Sequence, residues 1–145
     1  NCDRTYSMLD GLDGYLKIIE AHQVPSSFFV LGELIPKIKM QLQEIGKLDH
    51  EIGSHGYNHC WLSSLTYKAQ SEEIKKSIQF WQDRGILDKH WTICYPYGDF
   101  NEETIRIAGD CGALIGLTVE NGIASMNNED YLRLPRIDTN ELPKR

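Results

Sequence analysis

The chain has 145 residues, 41% hydrophobic and 25% charged, which suits one globular domain with a buried core and excludes a disordered chain. A net charge of -6 at pH 7 argues against a phosphate-neutralising surface, so nucleic acid is not expected as a partner. No apolar run approaches the ~20 residues of a transmembrane helix, and no basic-then-apolar leader opens the chain. The small lysine groups at Lys37, Lys39, Lys75 and Lys76 read as solvated helix faces. Cys2, Cys60, Cys94 and Cys111 are widely spaced with no C-x-x-C pair. They are expected as buried or partly buried free thiols in a reducing compartment, which places the domain in the cytoplasm and leaves secretion open.

In chain order, apolar residues at helical spacing predict a helix from Leu9 to Ala21, ended by Val24-Pro25. Ser27-Phe28-Phe29-Val30-Leu31 reads as a short buried strand followed by Gly32. Ile38, Leu42 and Ile45 predict a helix from Pro36 to Gly46, closed by that glycine. Glu51-Ile52-Gly53 is a strand end. Leu65 to Gly85 is the longest helical signal, with Ile74, Ile78 and Trp81 on one stripe. Trp91 to Tyr95 is a strand running into the turn Pro96-Tyr97-Gly98-Asp99, and Asn101 can cap a helix from Glu102 to Cys111. Ala113 to Val119 is a further strand, and Tyr131 to Ile137 a short one. Strands alternating with helices imply a parallel sheet covered by helices, with its sites at the carboxyl ends of the strands.

One segment carries chemistry. His50-Glu51-Ile52-Gly53-Ser54-His55-Gly56-Tyr57-Asn58-His59 sets two imidazoles four residues apart, a spacing that on a helix puts both side chains on one face. Neutral imidazole is a common zinc ligand, and catalytic zinc takes three protein groups and keeps a fourth position open. A pair of this kind also arises on solvated helix faces, but the flanks favour a strand feeding a turn at a sheet edge. The zincin motif is absent, because no glutamate lies between the histidines. His55, His59, Tyr95 to Gly98, Thr118 to Asn121 and Arg136 all follow expected strands, so they are expected to share one rim. His22 and His90 read as ordinary surface residues.

The order of these segments resembles the polysaccharide deacetylase family, also called NodB-homology or carbohydrate esterase 4. Val24-Pro25-Ser26-Ser27-Phe28-Phe29-Val30 is similar to its "i-p-A-T-F-F-v" strand. His50 to His59 is similar to its second motif, "G-H-E-I-G-s-H-x-x-x-H", and Ile93-Cys94-Tyr95-Pro96-Tyr97-Gly98 to its third, with the common form "a-Y-P-Y-G". The resemblance covers nearly the whole chain. It implies a partial or distorted (β/α) barrel and a divalent metal, zinc, bound by one aspartate and two histidines, here His55 and His59. It also implies hydrolysis of an N-acetyl group on a sugar or polysaccharide in cell-surface polysaccharide metabolism. The metal would polarise the carbonyl and acidify water, an aspartate would act as base, and the backbone N–H of Tyr97 would donate to the oxyanion. Donors of that kind supply about 2.7–4 kcal/mol.

Several positions depart from the family pattern. The first motif, "T-F-D-D-G", with the base and the metal aspartate, has no counterpart before the Leu9 to Ala21 helix. Asp10-Gly11 and Asp13-Gly14 lie too near Phe28, and Asp3 sits in an unrelated context. The expectation is therefore a domain over residues 1–145 whose first strand lies upstream. Cys94 replaces an arginine, and only Glu120 lies near the fourth-motif aspartate. Arg136 stands in the region that supplies a histidine acid, and as a permanent cation it suits a substrate anion or developing charge rather than proton donation; a surface arginine is the other reading. Two further functions stay open at this point. One is an inactive deacetylase-like domain that binds carbohydrate or a partner; the other is an amidohydrolase for a small ring amide.

Overall fold

The computed structural model describes residues 4–83, 90–125, 127 and 130–142. Five strands form one parallel sheet in chain order: β1 (Ser27–Val30), β2 (Glu51–Ser54), β3 (Trp91–Cys94), β4 (Ala113–Asn121) and β5 (Leu134–Arg136). Four α-helices connect them or precede them: α1 (Arg4–Ala21), α2 (Lys39–Lys47), α3 (Tyr67–Gln82) and α4 (Glu102–Asp110). Sequential parallel strands with helical crossovers are the arrangement of a barrel sector, and this sheet stays open between β1 and β5. The expected α/β fold of the partial-barrel type is thus observed. Among the described residues no strand precedes α1, and Asp3 lies outside them.

Two apolar clusters fill the space between sheet and helices. Leu16 and Ile19 of α1, Leu42 and Ile45 of α2, Val30 and Ile52 of the strands, and Trp81 of α3 make one. Ile74 and Ile78 of α3 meet Trp91, Ile93 and Tyr95 and the α4 residues Ile107 and Ala108 in the other. The α3 stripe expected from periodicity is therefore the seam between both clusters. All four β3 residues are buried, as befits the central strand of a sheet covered on both faces.

Element ends differ from the periodicity reading for local reasons. The helix expected from Pro36 to Gly46 is two pieces, a 3₁₀ turn over Gly32–Lys37 and then α2, because Ile38 leaves helical geometry at φ -121°. Gly46 does not stop α2, which runs to Lys47. The α3 helix starts at Tyr67 instead of Leu65, since the Thr66 hydroxyl accepts the Ala69 N–H and Leu62–Ser64 forms its own 3₁₀ turn. Gly85, expected to close that helix, lies outside the described residues. Asn101 does cap α4, in a reciprocal box with Thr104. The segment from Tyr131 is a 3₁₀ turn before β5 begins at Leu134.

Candidate functional site

Beyond the carboxyl end of β2 the chain enters a loop, and no helix forms between His55 and His59. The helical argument for their convergence is corrected accordingly: the loop itself turns the side chains together, with Gly56 at φ 76° and His59 at φ 53°. Their ring centroids are 4.9 Å apart. The loop is held from three sides. Gly32 and Glu33, past the end of β1, donate their N–H groups to the carbonyls of Gly56 and Tyr57 at 2.9 and 3.2 Å. The Glu73 carboxylate of α3 accepts from the Asn58 backbone at 3.0 Å and also from the Asn58 side-chain amide. The buried Ser54 hydroxyl meets Ser77 of α3 at 2.8 Å and accepts from the Gly56 N–H.

The neighbouring strand fixes His55. Ser54 pairs with Ile93, so the carbonyl of Cys94 falls beside the next residue, and His55 Nδ1 lies 2.6 Å from it. A carbonyl only accepts, so Nδ1 carries the proton and Nε2 keeps its lone pair. Burial pushes the imidazole below its usual pKa; the Cys94 hydrogen bond opposes this, and electrostatic repulsion from the neighbouring His59 and Arg136 reinforces it. His55 is thereby a neutral imidazole with a free nitrogen at neutral pH.

Tyr97 follows β3 in the 3₁₀ turn Pro96–Gly98, at φ 58° and ψ 7°. Its ring packs on His59 with centroids 4.4 Å apart, and on its other side stacks against Trp61 at 4.5 Å and 5°. The two non-glycine residues in left-handed backbone at this rim are in ring contact with one another. Sparse backbone geometry of this sort persists where the surroundings over-determine it. Here Asp99 supplies the constraint: its carboxylate accepts from the Ser63 N–H and the Ser63 hydroxyl, both at 2.6 Å, tying the loop after β3 to the loop after β2. Gly98 sits at φ 68° where a Cβ would lie 2.4 Å from Val119 Cγ2, so only glycine fits.

Arg136 ends β5, paired with Asn121 of β4, and its Nε donates to the Thr118 carbonyl at 2.8 Å. Its charge is felt at His55 and Cys94, which puts the guanidinium on the same edge of the sheet. The fold therefore gathers His55, His59, Tyr97 and Arg136 along one carboxyl rim. Glu120 is exposed at the end of β4, His22 and His90 are exposed elsewhere, and Asp13 lies exposed on α1. Cys60, Cys94 and Cys111 are free thiols, all with pKa raised by burial. Sequence reasoning passed over Asp99, Ser63, Glu73 and Trp61. Asp99, in the turn after Tyr97-Gly98, and Ser63, in the Leu62-Ser63-Ser64-Leu65 run that follows the histidine segment, carried local signals.

Two features of the histidine pair fit a metal ion. His55 presents an unprotonated Nε2 fixed by a carbonyl on its other nitrogen, the outer-shell arrangement of metal-ligating histidines. Two imidazoles on one tetrahedral zinc, with Zn–N of about 2.0–2.1 Å, have ring centres about 5 Å apart, and this pair has 4.9 Å. Among the described residues, no cluster of three or more His, Cys, Asp or Glu side chains completes such a site.

Fold and rim together define an α/β barrel-sector domain with its polar and aromatic groups gathered past the carboxyl ends of β2, β3 and β5. The model of the polysaccharide deacetylase family matches residues 7–116, and the chain belongs to that family. It is 36% identical over 100 residues to the Bacillus subtilis protein YlxY, covering 68% of this chain and 31% of that one. To the putative polysaccharide deacetylase YxkH of Bacillus subtilis it is 28% identical over 118 residues, covering 79% of this chain and 42% of the relative. The chain thus spans less than half the length of either relative. Among solved structures, the Streptococcus pyogenes deacetylase PplD, in complex with acetate, is similar at a TM-score of 0.79 and 25% identity, over 89% of this chain and 59% of that one.

Proposed function

We propose that this domain hydrolyses N-acetyl groups on a sugar or polysaccharide in cell-surface polysaccharide metabolism, with a divalent metal, zinc, held by His55 and His59. The observation that carries the reading is the file of rings at the rim, in which the two histidines sit 4.9 Å apart and Tyr97 closes on His59 at 4.4 Å. When bound, the metal supplies Lewis-acid polarisation of the amide carbonyl. The chain's own residues do the rest of the positioning. His55 is held in one tautomer by the Cys94 carbonyl, so it offers a nitrogen lone pair without first losing a proton. The Asp99 clamp on Ser63 sets the distance between the histidine loop and the Tyr97 turn, where the Tyr97 backbone N–H would donate to the developing oxyanion. Arg136, anchored through Nε on the Thr118 carbonyl, retains its terminal nitrogens for a substrate oxygen. Water adds through its oxygen to the acetyl carbon, the C–N bond breaks as the water protons pass to the departing nitrogen, and acetate and a protonated amine leave. PplD, whose structure is in complex with acetate, supports that product assignment.

The test is acetate release from an N-acetylglucosamine oligosaccharide, with zinc supplied or removed by a chelator. Release should stop on chelation, return with zinc and be lost in His55→Ala. Absence of acetate from the zinc-supplied protein, taken with the upstream first strand that the resemblance implies, across N-acetylated oligosaccharides would overturn the hydrolase reading.

A further inference from the structure

We infer that Trp61 and Tyr97 form a stacking platform for a sugar ring adjacent to the unit whose acetamido group faces the histidines. The inference rests on the deacetylase reading for the class of ligand and goes beyond it in naming a second subsite. Its basis is an arrangement that a fold does not leave exposed without cause. Trp61 is 55% exposed and Tyr97 is 47% exposed, yet the two rings lie parallel within 5° and 4.5 Å apart. Two large aromatic rings at the surface, in register with the histidines, are not core residues. They extend the ring file His55, His59, Tyr97 outward by one more step.

The platform is preorganised. Trp61 precedes the 3₁₀ turn Leu62–Ser64, and its carbonyl accepts from the Ser64 hydroxyl at 2.7 Å. The Ser63 N–H and hydroxyl are both fixed by Asp99, two residues after Tyr97. Leu62 is fully buried and roots the turn in the core. A ligand that stacks here need not order the loop first, which lowers the entropy lost on binding.

The chemistry of the surroundings selects the occupant. A pyranose ring offers a flat face of C–H bonds to an aromatic face while its hydroxyls stay wet at the edge, and an aromatic body flanked by polar groups suits such an amphipathic ligand. Glu73 and Asp99 border the loop with carboxylates, and the chain carries a net charge of -6, so an anionic nucleotide or acidic glycan is disfavoured. Trp61 is separated from His59 by the Tyr97 ring. A sugar on Trp61 is therefore a neighbour of the reacting unit, and the site should prefer an oligosaccharide to a single sugar.

The chain reports on this platform by itself. Of its three tryptophans, Trp81 is 0% and Trp91 3% exposed, so a ligand-induced change in tryptophan emission reads Trp61. Titration with a β-1,4-linked N-acetylglucosamine pentasaccharide should give a saturable emission change, and the monosaccharide should give little. By calorimetry Trp61→Ala should lose about tenfold in pentasaccharide affinity, as expected when an aromatic anchor is removed, and Trp61→Phe should recover most of it. A wild-type chain that does not bind the pentasaccharide, or a Trp61→Ala variant that binds it as wild type does, overturns the platform. Binding through Trp61 without acetate release keeps the platform and removes the hydrolase reading. Acetate release with an unchanged KM for the pentasaccharide in Trp61→Ala removes the platform alone.

Discussion

His55 Nδ1 and the Cys94 carbonyl oxygen lie 2.6 Å apart, so the strand next to β2 decides which nitrogen of the histidine is left free. The consequence is a prepared ligand. Nitrogen-correlated NMR of the metal-free chain should show His55 as the Nδ1–H tautomer at neutral pH, and zinc should shift its Nε2 resonance. His55→Ala and His59→Ala should each abolish stoichiometric zinc in a metal assay. An Nε2–H tautomer, or undiminished zinc in the double variant, would refute the assignment.

Asp99 makes two charge-assisted hydrogen bonds to Ser63 across 36 residues of sequence. Asp99→Ala removes both acceptors at once and should lower stability by about 1–2 kcal/mol, the loss being moderated by the partial exposure of the site. Amide exchange at Ser63 should accelerate more than at residues of β3. Tryptophan emission should also shift to the red, because the Trp61 and Tyr97 rings are no longer held together. Unaltered exchange at Ser63 would mean that the clamp does not fix the loop.

What the chain discloses by itself follows the range of the forces involved. Alternating strands and helices, the α3 stripe of Ile74, Ile78 and Trp81, and the Asn101 cap depend on neighbours a few residues away, and all are legible. The break at Ile38 and the late start of α3 depend on single caps and φ values that a period of 3.6 does not register. The rim was legible as a list of strand ends but not as an arrangement. Its geometry comes from the Ser54 and Ile93 register, from Glu73 reaching back to Asn58, and from Asp99 reaching Ser63, all of which join distant parts of the chain. Trp61 had no periodic or motif signal, and its meaning emerges only from the Tyr97 ring beside it.

Gly98 combines two demands that can be separated. At φ 68° any L-residue pays a backbone penalty of about 1 kcal/mol, and a Cβ there lies 2.4 Å from Val119 Cγ2. Gly98→Ala should therefore destabilise by about 2–3 kcal/mol, as overpacking adds to the conformational term. Adding Val119→Ala, at a side chain that is more than half exposed, removes the Cγ contacts at 2.4 and 2.6 Å but keeps the Cβ of residue 119 at 2.9 Å, so it should recover part of the steric loss. Additive losses in the double variant, measured by chemical denaturation, would show that the two residues do not meet.

Tyr95 reaches from the end of β3 to the turn before β5, its hydroxyl donating to the Leu132 carbonyl at 2.9 Å from a side chain that is almost wholly buried. Tyr95→Phe leaves that carbonyl without this donor and should lower stability by about 1–2 kcal/mol at neutral pH. The phenol pKa is raised, first by burial and then by the Asp130 charge, with Arg133 opposing. Because the folded value lies above the unfolded value of about 10, the protonated phenol's contribution is complete below that pH and decays as pH rises toward the folded value. The stability difference between wild type and Tyr95→Phe should accordingly be constant from about pH 7 to about pH 9 and narrow above about pH 10. A difference that instead widens in alkali would mean that the phenolate, not the phenol, is the form the folded chain prefers.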